Sequence, residues 1–120
     1  PADCVLMGVG HVMKDKRPDV VVSGINRGAN LGQDLYYSGT VAAAREAAFH
    51  NVPSIAVSLV FGKVNEKHHY ESAAMFIRWC LEEGLHKAIP PMTLLNINVP
   101  DLPMKEIRGV RRTEVGFRRY

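Results

Sequence analysis

Three short apolar runs, "DVVVSGI" from Asp19, "SIAVSLV" from Ser54 and "TLLNINVP" from Thr93, are separated by stretches long enough for a helix. Of all the features of this chain, that spacing most limits the fold. Runs of this length, rich in Val and Ile, suit strands, and the first has the composition of a strand covered on both faces. Parallel neighbours need a crossover of helical length, and both intervals supply one. Ala-rich residues 40–50 fill the first. Residues from Tyr70 to about Leu85 fill the second, with Ala73, Ile77, Cys80 and Leu81 inward and Arg78, Glu82 and Glu83 outward. An earlier helix over residues 4–13 would place Val5, Leu6, Val9, Val12 and Met13 on one face before "KDKRPD" interrupts it. Asn51 with Pro53, and Gly84, stand where the next two helices should stop. "IRGVRRTEVG" reads as a further extended segment. The order predicts an α/β fold with a parallel sheet of doubly wound type.

At 120 residues and 47% hydrophobic, the chain suits a single domain over residues 1–120 with a sizeable core. The formal charge of +3 is small but uneven: Arg108, Arg111, Arg112, Arg118 and Arg119 fall together near the C-terminus, where they suit an anion or a solvated face. Cys4 and Cys80 have no metal-like spacing, which argues against a disulfide framework or zinc site and favours a cytoplasmic setting. No run approaches a membrane span, so no membrane partner is expected. The chain opens on "PADCVLMGVG" without methionine and closes on "GFRRY", as expected of a piece of something longer.

Between the first run and the Ala-rich helix lies "NRGANLGQDLYYSGT". Gly24, Gly28 and Gly32 recur every fourth position, with Asn26 and Asn30 between them, so the backbone is free to adopt positive φ and to approach a ligand closely. In a parallel α/β sheet, ligands collect at the carboxyl ends of the strands, where this loop begins. Ser38-Gly39-Thr40 then opens the helix. First-turn N–H groups, the positive end of the helix dipole and two hydroxyls favour a phosphate there. Ser38 or Thr40 equally suits a plain N-cap. There is no Gly-Lys-Ser/Thr of a Walker loop and no dinucleotide GxGxxG.

"RPDVVVSGINRGANLGQDLYYSGTVAAAREAA", with "PADCV", "VPSIAVSL" and "LLNINVPDLP" in this order and spacing, resembles the central part of the SurE family of metal-dependent survival-protein phosphatases, also called 5′-nucleotidases. The resemblance covers nearly the whole chain. It implies a Rossmann-like, mostly parallel sheet with helices on both faces, incomplete here because the family's N-terminal strand and C-terminal arm have no counterpart. It also implies hydrolysis of nucleoside 5′-monophosphates to nucleoside and phosphate with one divalent cation, Mg²⁺ or Mn²⁺. In that family an Asp pair in an "NDDG" motif, a Ser and the Asn of "SGIN" hold the metal. Only the last has a match here, Asn26, which becomes the implied metal ligand. Asn26 and Asn30 are the implied catalytic residues; Asn30, Ser38, Gly39 and Thr40 are the implied phosphate-binding group. A homodimer or homotetramer is implied for the full-length protein. No Asp-Asp pair occurs in this chain. The isolated chain is therefore expected to be inactive, and a non-catalytic nucleotide- or phosphate-binding module is the alternative should the parent protein lack the motif.

Other residues have plainer expectations. His68 and His69 are expected to be solvated, and Arg27 exposed or drawing substrate. Asn96 and Asn98 either face the site from a strand end or satisfy nearby backbone. Trp79 falls beside the inward stripe of its helix. Nucleic-acid binding through the terminal arginines has no stacking-aromatic pattern behind it beyond Phe117 and Tyr120.

Overall fold

The computed structural model describes residues 1–62 and 67–117. Arg118, Arg119 and Tyr120, and part of the polar loop read between Phe61 and His69, lie outside the described residues. In chain order the elements are α1 (Ala2–Met7), continued by a π-turn over Gly8–Val12, then β1 (Val21–Arg27), α2 (Asp34–Tyr37), α3 (Gly39–Phe49), β2 (Ser54–Val60), α4 (Tyr70–Glu82) and β3 (Leu94–Pro100). The three strands form one parallel sheet in the order β1-β2-β3.

Alternation along β2 assigns the two sides of the sheet. Ile55, Val57 and Leu59 point to one side and meet Ala73 and Ile77 of α4, with Val99 of β3 beside them. Ile55 and Leu59 are fully buried, each contributing about 1.5–3 kcal/mol of apolar burial. Ala56 points to the other side and meets Val41 and Ala44 of α3. The small alanines let α3 lie close to the sheet, and Ala44 and Ala47 have no exposed surface. Helices thus cover both faces, as the sequence implies.

Four expectations change. Strand β1 is an edge among the described strands and alternates half-buried with exposed residues, Val22 being 40% exposed, so it is not covered on both faces. In the first helix only Val5 and Val9 pack inward, against Ala47 and Val52. Leu6 lies off that line, and the wider π-turn carries Val12 and Met13 out to solvent. Residues 107–117 run without secondary structure. The Gly/Asn loop contains a short helix, α2, where only loop was expected. The other helix stops hold: Asn51 has φ 55° and Gly84 has φ 74°, both left-handed.

A bulge in β1 sets the geometry of the loop that follows. Ser23 pairs with Ala56 and Asn26 with Ser58, so three steps on β1 oppose two on β2. Without that extra residue Ile25 would take the place opposite Ser58. With it, Ile25 packs into the α4-side core and Asn26 turns to the α3 side. Gly24 carries the bulge at φ +131°, and a Cβ there would lie 2.4 Å from the Val57 carbonyl oxygen.

Candidate functional site

At the carboxyl end of β1 the Asn26 carboxamide lies half-buried, its Nδ2 donating to the Gly28 carbonyl at 2.9 Å. Its Oδ1 accepts from Thr40 Oγ1 at 3.3 Å. The end of β1 and the start of α3 therefore meet at one rim, fourteen residues apart in sequence. Ser38 caps α3: its Oγ accepts from the Val41 N–H at 3.2 Å, as the plain reading of that residue expects. By helix geometry the N–H groups of Gly39 and Thr40 have no intrahelical acceptor. Gly39 leaves little room behind it, since a Cβ there would sit 2.9 Å from Pro1 Cγ.

Asn30 is only 5% exposed and is tied on three sides. Its N–H donates to Asn98 Oδ1 at 2.9 Å, and its carbonyl accepts from Asn96 Nδ2 at 2.9 Å and Asn98 Nδ2 at 3.0 Å. Its own Nδ2 donates to Ser58 Oγ at 2.8 Å. Both strand asparagines thus satisfy loop backbone. The loop between β1 and α2 is thereby stitched to β2 and β3, which gives a Gly-rich segment a fixed course. Gly28 and Gly32, at φ +103° and +53°, make the turns this course requires.

A divalent cation takes oxygen ligands. Asn26 Oδ1 suits one position in such a set: it is neutral, sits at the rim and has one long donor. The described residues contain no group of three or more His, Cys, Asp or Glu able to hold a metal ion. They fit one ligand of a metal site and not the whole of it.

The sequence reading missed a second cluster. Asp101, one residue beyond β3, has a side chain only 1% exposed. It bonds His68 Nδ1 at 2.8 Å, the His69 N–H at 2.7 Å and His69 Nδ1 at 3.1 Å. The His68 contact, and then the His69 N–H, hold its carboxyl down to about 2. The histidine pair is therefore bonded to a buried carboxylate rather than solvated, because β3 delivers Asp101 to the start of α4 from 32 residues away. An acidic residue directly after a strand-ending proline was the available signal. An open cavity of about 610 Å³ lies beyond Asp101 and is lined by Pro100, Leu102, Lys105, Glu106, Ile107, Arg108 and Gly109. It includes none of the loop and helix-start residues, which form an open rim.

Among the described residues no helix is long and apolar enough to cross a membrane. Cys4 and Cys80 are both free, and burial pushes the Cys80 thiol up. Trp79 is about half exposed and rests against Phe76.

Comparison with known proteins bears on the whole chain. The family model described as "Survival protein SurE" matches residues 1–120. A curated relative from Vibrio campbellii named 5′-nucleotidase SurE is 50% identical over 100% of this chain and 45% of its own length. A relative of the same name from Alkaliphilus metalliredigens is 47% identical, with 100% of this chain and 46% of its own length covered. The crystal structure of the SurE protein from Aquifex aeolicus superposes with a TM-score of 0.82 at 41% identity, covering 92% of this chain and 44% of that one. The chain spans less than half the length of the curated relatives it matches.

Proposed function

Because this chain belongs to the survival protein SurE family, we propose that the protein containing it is a metal-dependent phosphomonoesterase that hydrolyses nucleoside 5′-monophosphates. The observation that carries this reading is the contact between Thr40 Oγ1 and Asn26 Oδ1, which brings a neutral metal-type oxygen and a helix start to one rim. In this reading Asn26 is a metal ligand, and the remaining ligands come from the part of the relatives' length that the chain does not cover. A divalent cation, when bound, would neutralise phosphoryl charge and acidify a water.

The chain's own residues bind and orient. The first-turn N–H groups of α3, those of Gly39 and Thr40 among them, with the hydroxyl of Ser38, donate to phosphate oxygens, and the helix dipole adds to their effect. Asn30 Nδ2 has two hydrogens and Ser58 takes one; in this reading the second donates to the phosphate. As fixed donors they stabilise charge developing on the equatorial oxygens at no reorganisation cost. Asparagine at position 26 adds no negative charge opposite an incoming dianion.

The test uses the full-length protein and the Asn26→Ala variant. Loss even of an outer partner of a metal ligand costs about 10–100-fold, so turnover at modest Mg²⁺ or Mn²⁺ should fall at least on that order, with partial recovery as metal is raised. Unchanged turnover and unchanged metal dependence would remove Asn26 from the site. Binding of nucleotide without turnover in the wild type would select the non-catalytic module instead.

A further inference from the structure

Arg27, Phe61, His68 and Asp101 form a layered unit at the carboxyl edge of the sheet, on its α4 side. Its base is the buried Asp101 carboxylate, which holds the His68 ring through Nδ1 at 2.8 Å. That imidazole stacks on Phe61, ring centroids 4.2 Å apart and planes inclined by 19°. Tyr70 packs edge-on against both rings. The Arg27 guanidinium also lies over the Phe61 ring, 5.4 Å from its centroid. Arg27 itself is exposed. Each contact restricts the next, so the exposed guanidinium is restrained before any ligand arrives.

We propose that the exposed guanidinium of Arg27 is the platform on which the nucleobase of the substrate stacks. The proposal rests on the nucleotidase reading above and adds to it the group that distinguishes a nucleotide from a sugar phosphate. Asn26 and Arg27 are consecutive, about 3.8 Å apart at Cα. They pair with Ser58 and Leu59, which face opposite sides of the sheet, so Asn26 turns toward α3 and Arg27 toward α4. A phosphate seated at the start of α3 leaves the sugar and base to cross the rim toward Arg27. Stacking on a cationic plane uses the π-face that every base has. The platform therefore selects for the presence of a base and tolerates its identity.

The experiment compares KM for adenosine 5′-monophosphate and for ribose 5-phosphate, which lacks only the base, in the full-length protein. The wild type should prefer the nucleotide by about tenfold or more, the order expected of one stacked base. Arg27→Ala should reduce that preference by about tenfold with little change in kcat, and Arg27→Lys, which keeps the charge without the plane, should lose most of it too. Phe61→Leu should give an intermediate loss. Should Arg27→Ala melt early, Arg27→Met keeps an aliphatic stem over Phe61 and reads the same ratio. A preference that survives in Arg27→Ala, or that Arg27→Lys retains in full, overturns the platform while leaving the nucleotidase reading intact. A wild type that hydrolyses neither compound overturns both.

Discussion

The Asp101 carboxylate sits at the end of β3 with the His68 ring and the His69 N–H directed at it, and these contacts hold its pKa at about 2. An unfolded Asp titrates near 3.9, so the folded value is depressed. The stability it contributes is complete above about pH 4 and is lost as pH falls toward 2. Thermal melts between pH 2 and 7 should show the wild type losing stability across that acid window more steeply than Asp101→Asn, whose amide does not titrate there. Equal slopes would mean that the carboxylate stabilises nothing. Asn30 makes a related point about single residues: sequence spacing marks it as a ligand-facing loop residue, and folding also makes it the knot that ties the loop to Ser58, Asn96 and Asn98. A side chain with several donors and acceptors is able to serve both uses.

Among the elements, β1 carries the decisive irregularity. Its bulge lets a strand with an apolar inner face present Asn26 to α3, and the bulge depends on Gly24. Alanine there would combine a φ of +131° with a Cβ 2.4 Å from the Val57 carbonyl oxygen. Gly24→Ala should therefore destabilise by more than about 1 kcal/mol, read as a lower midpoint in urea unfolding. Activity of the full-length protein should fall beyond what the lost stability explains, because Asn26 shifts with the strand. A midpoint equal to that of the wild type would show that β1 accommodates the methyl group, and the argument from the bulge would fail. The cap of α3 has a simpler logic: Ser38 satisfies the Val41 N–H, and its extended backbone after α2 and the Ala-rich run that follows set where the helix begins.

For the molecule as a whole, the described residues provide one candidate metal oxygen and no group of three or more His, Cys, Asp or Glu able to hold a metal ion. The 120-residue chain with Mg²⁺ or Mn²⁺ is expected to hydrolyse no nucleoside monophosphate, and the full-length protein to hydrolyse it until a chelator is added. A phosphate-release assay on both would check this, and turnover by the short chain would show that these 120 residues suffice. Much of the architecture was legible beforehand, since β-branched runs at helix-length intervals permit few arrangements other than a parallel sheet with crossover helices. The loop glycines were legible too, since all three have the positive φ that only their spacing suggested. Local sequence thus determined which segments become strands and helices, where the chain turns, and where a phosphate-binding helix start is possible, because these follow from backbone sterics and the periodicity of apolar side chains. Tertiary structure alone decided that Asp101 reaches across to His68 and His69 and that Arg27 rests on Phe61. Those contacts join residues more than thirty positions apart, and no local preference specifies a pairing that only the register of the finished sheet creates.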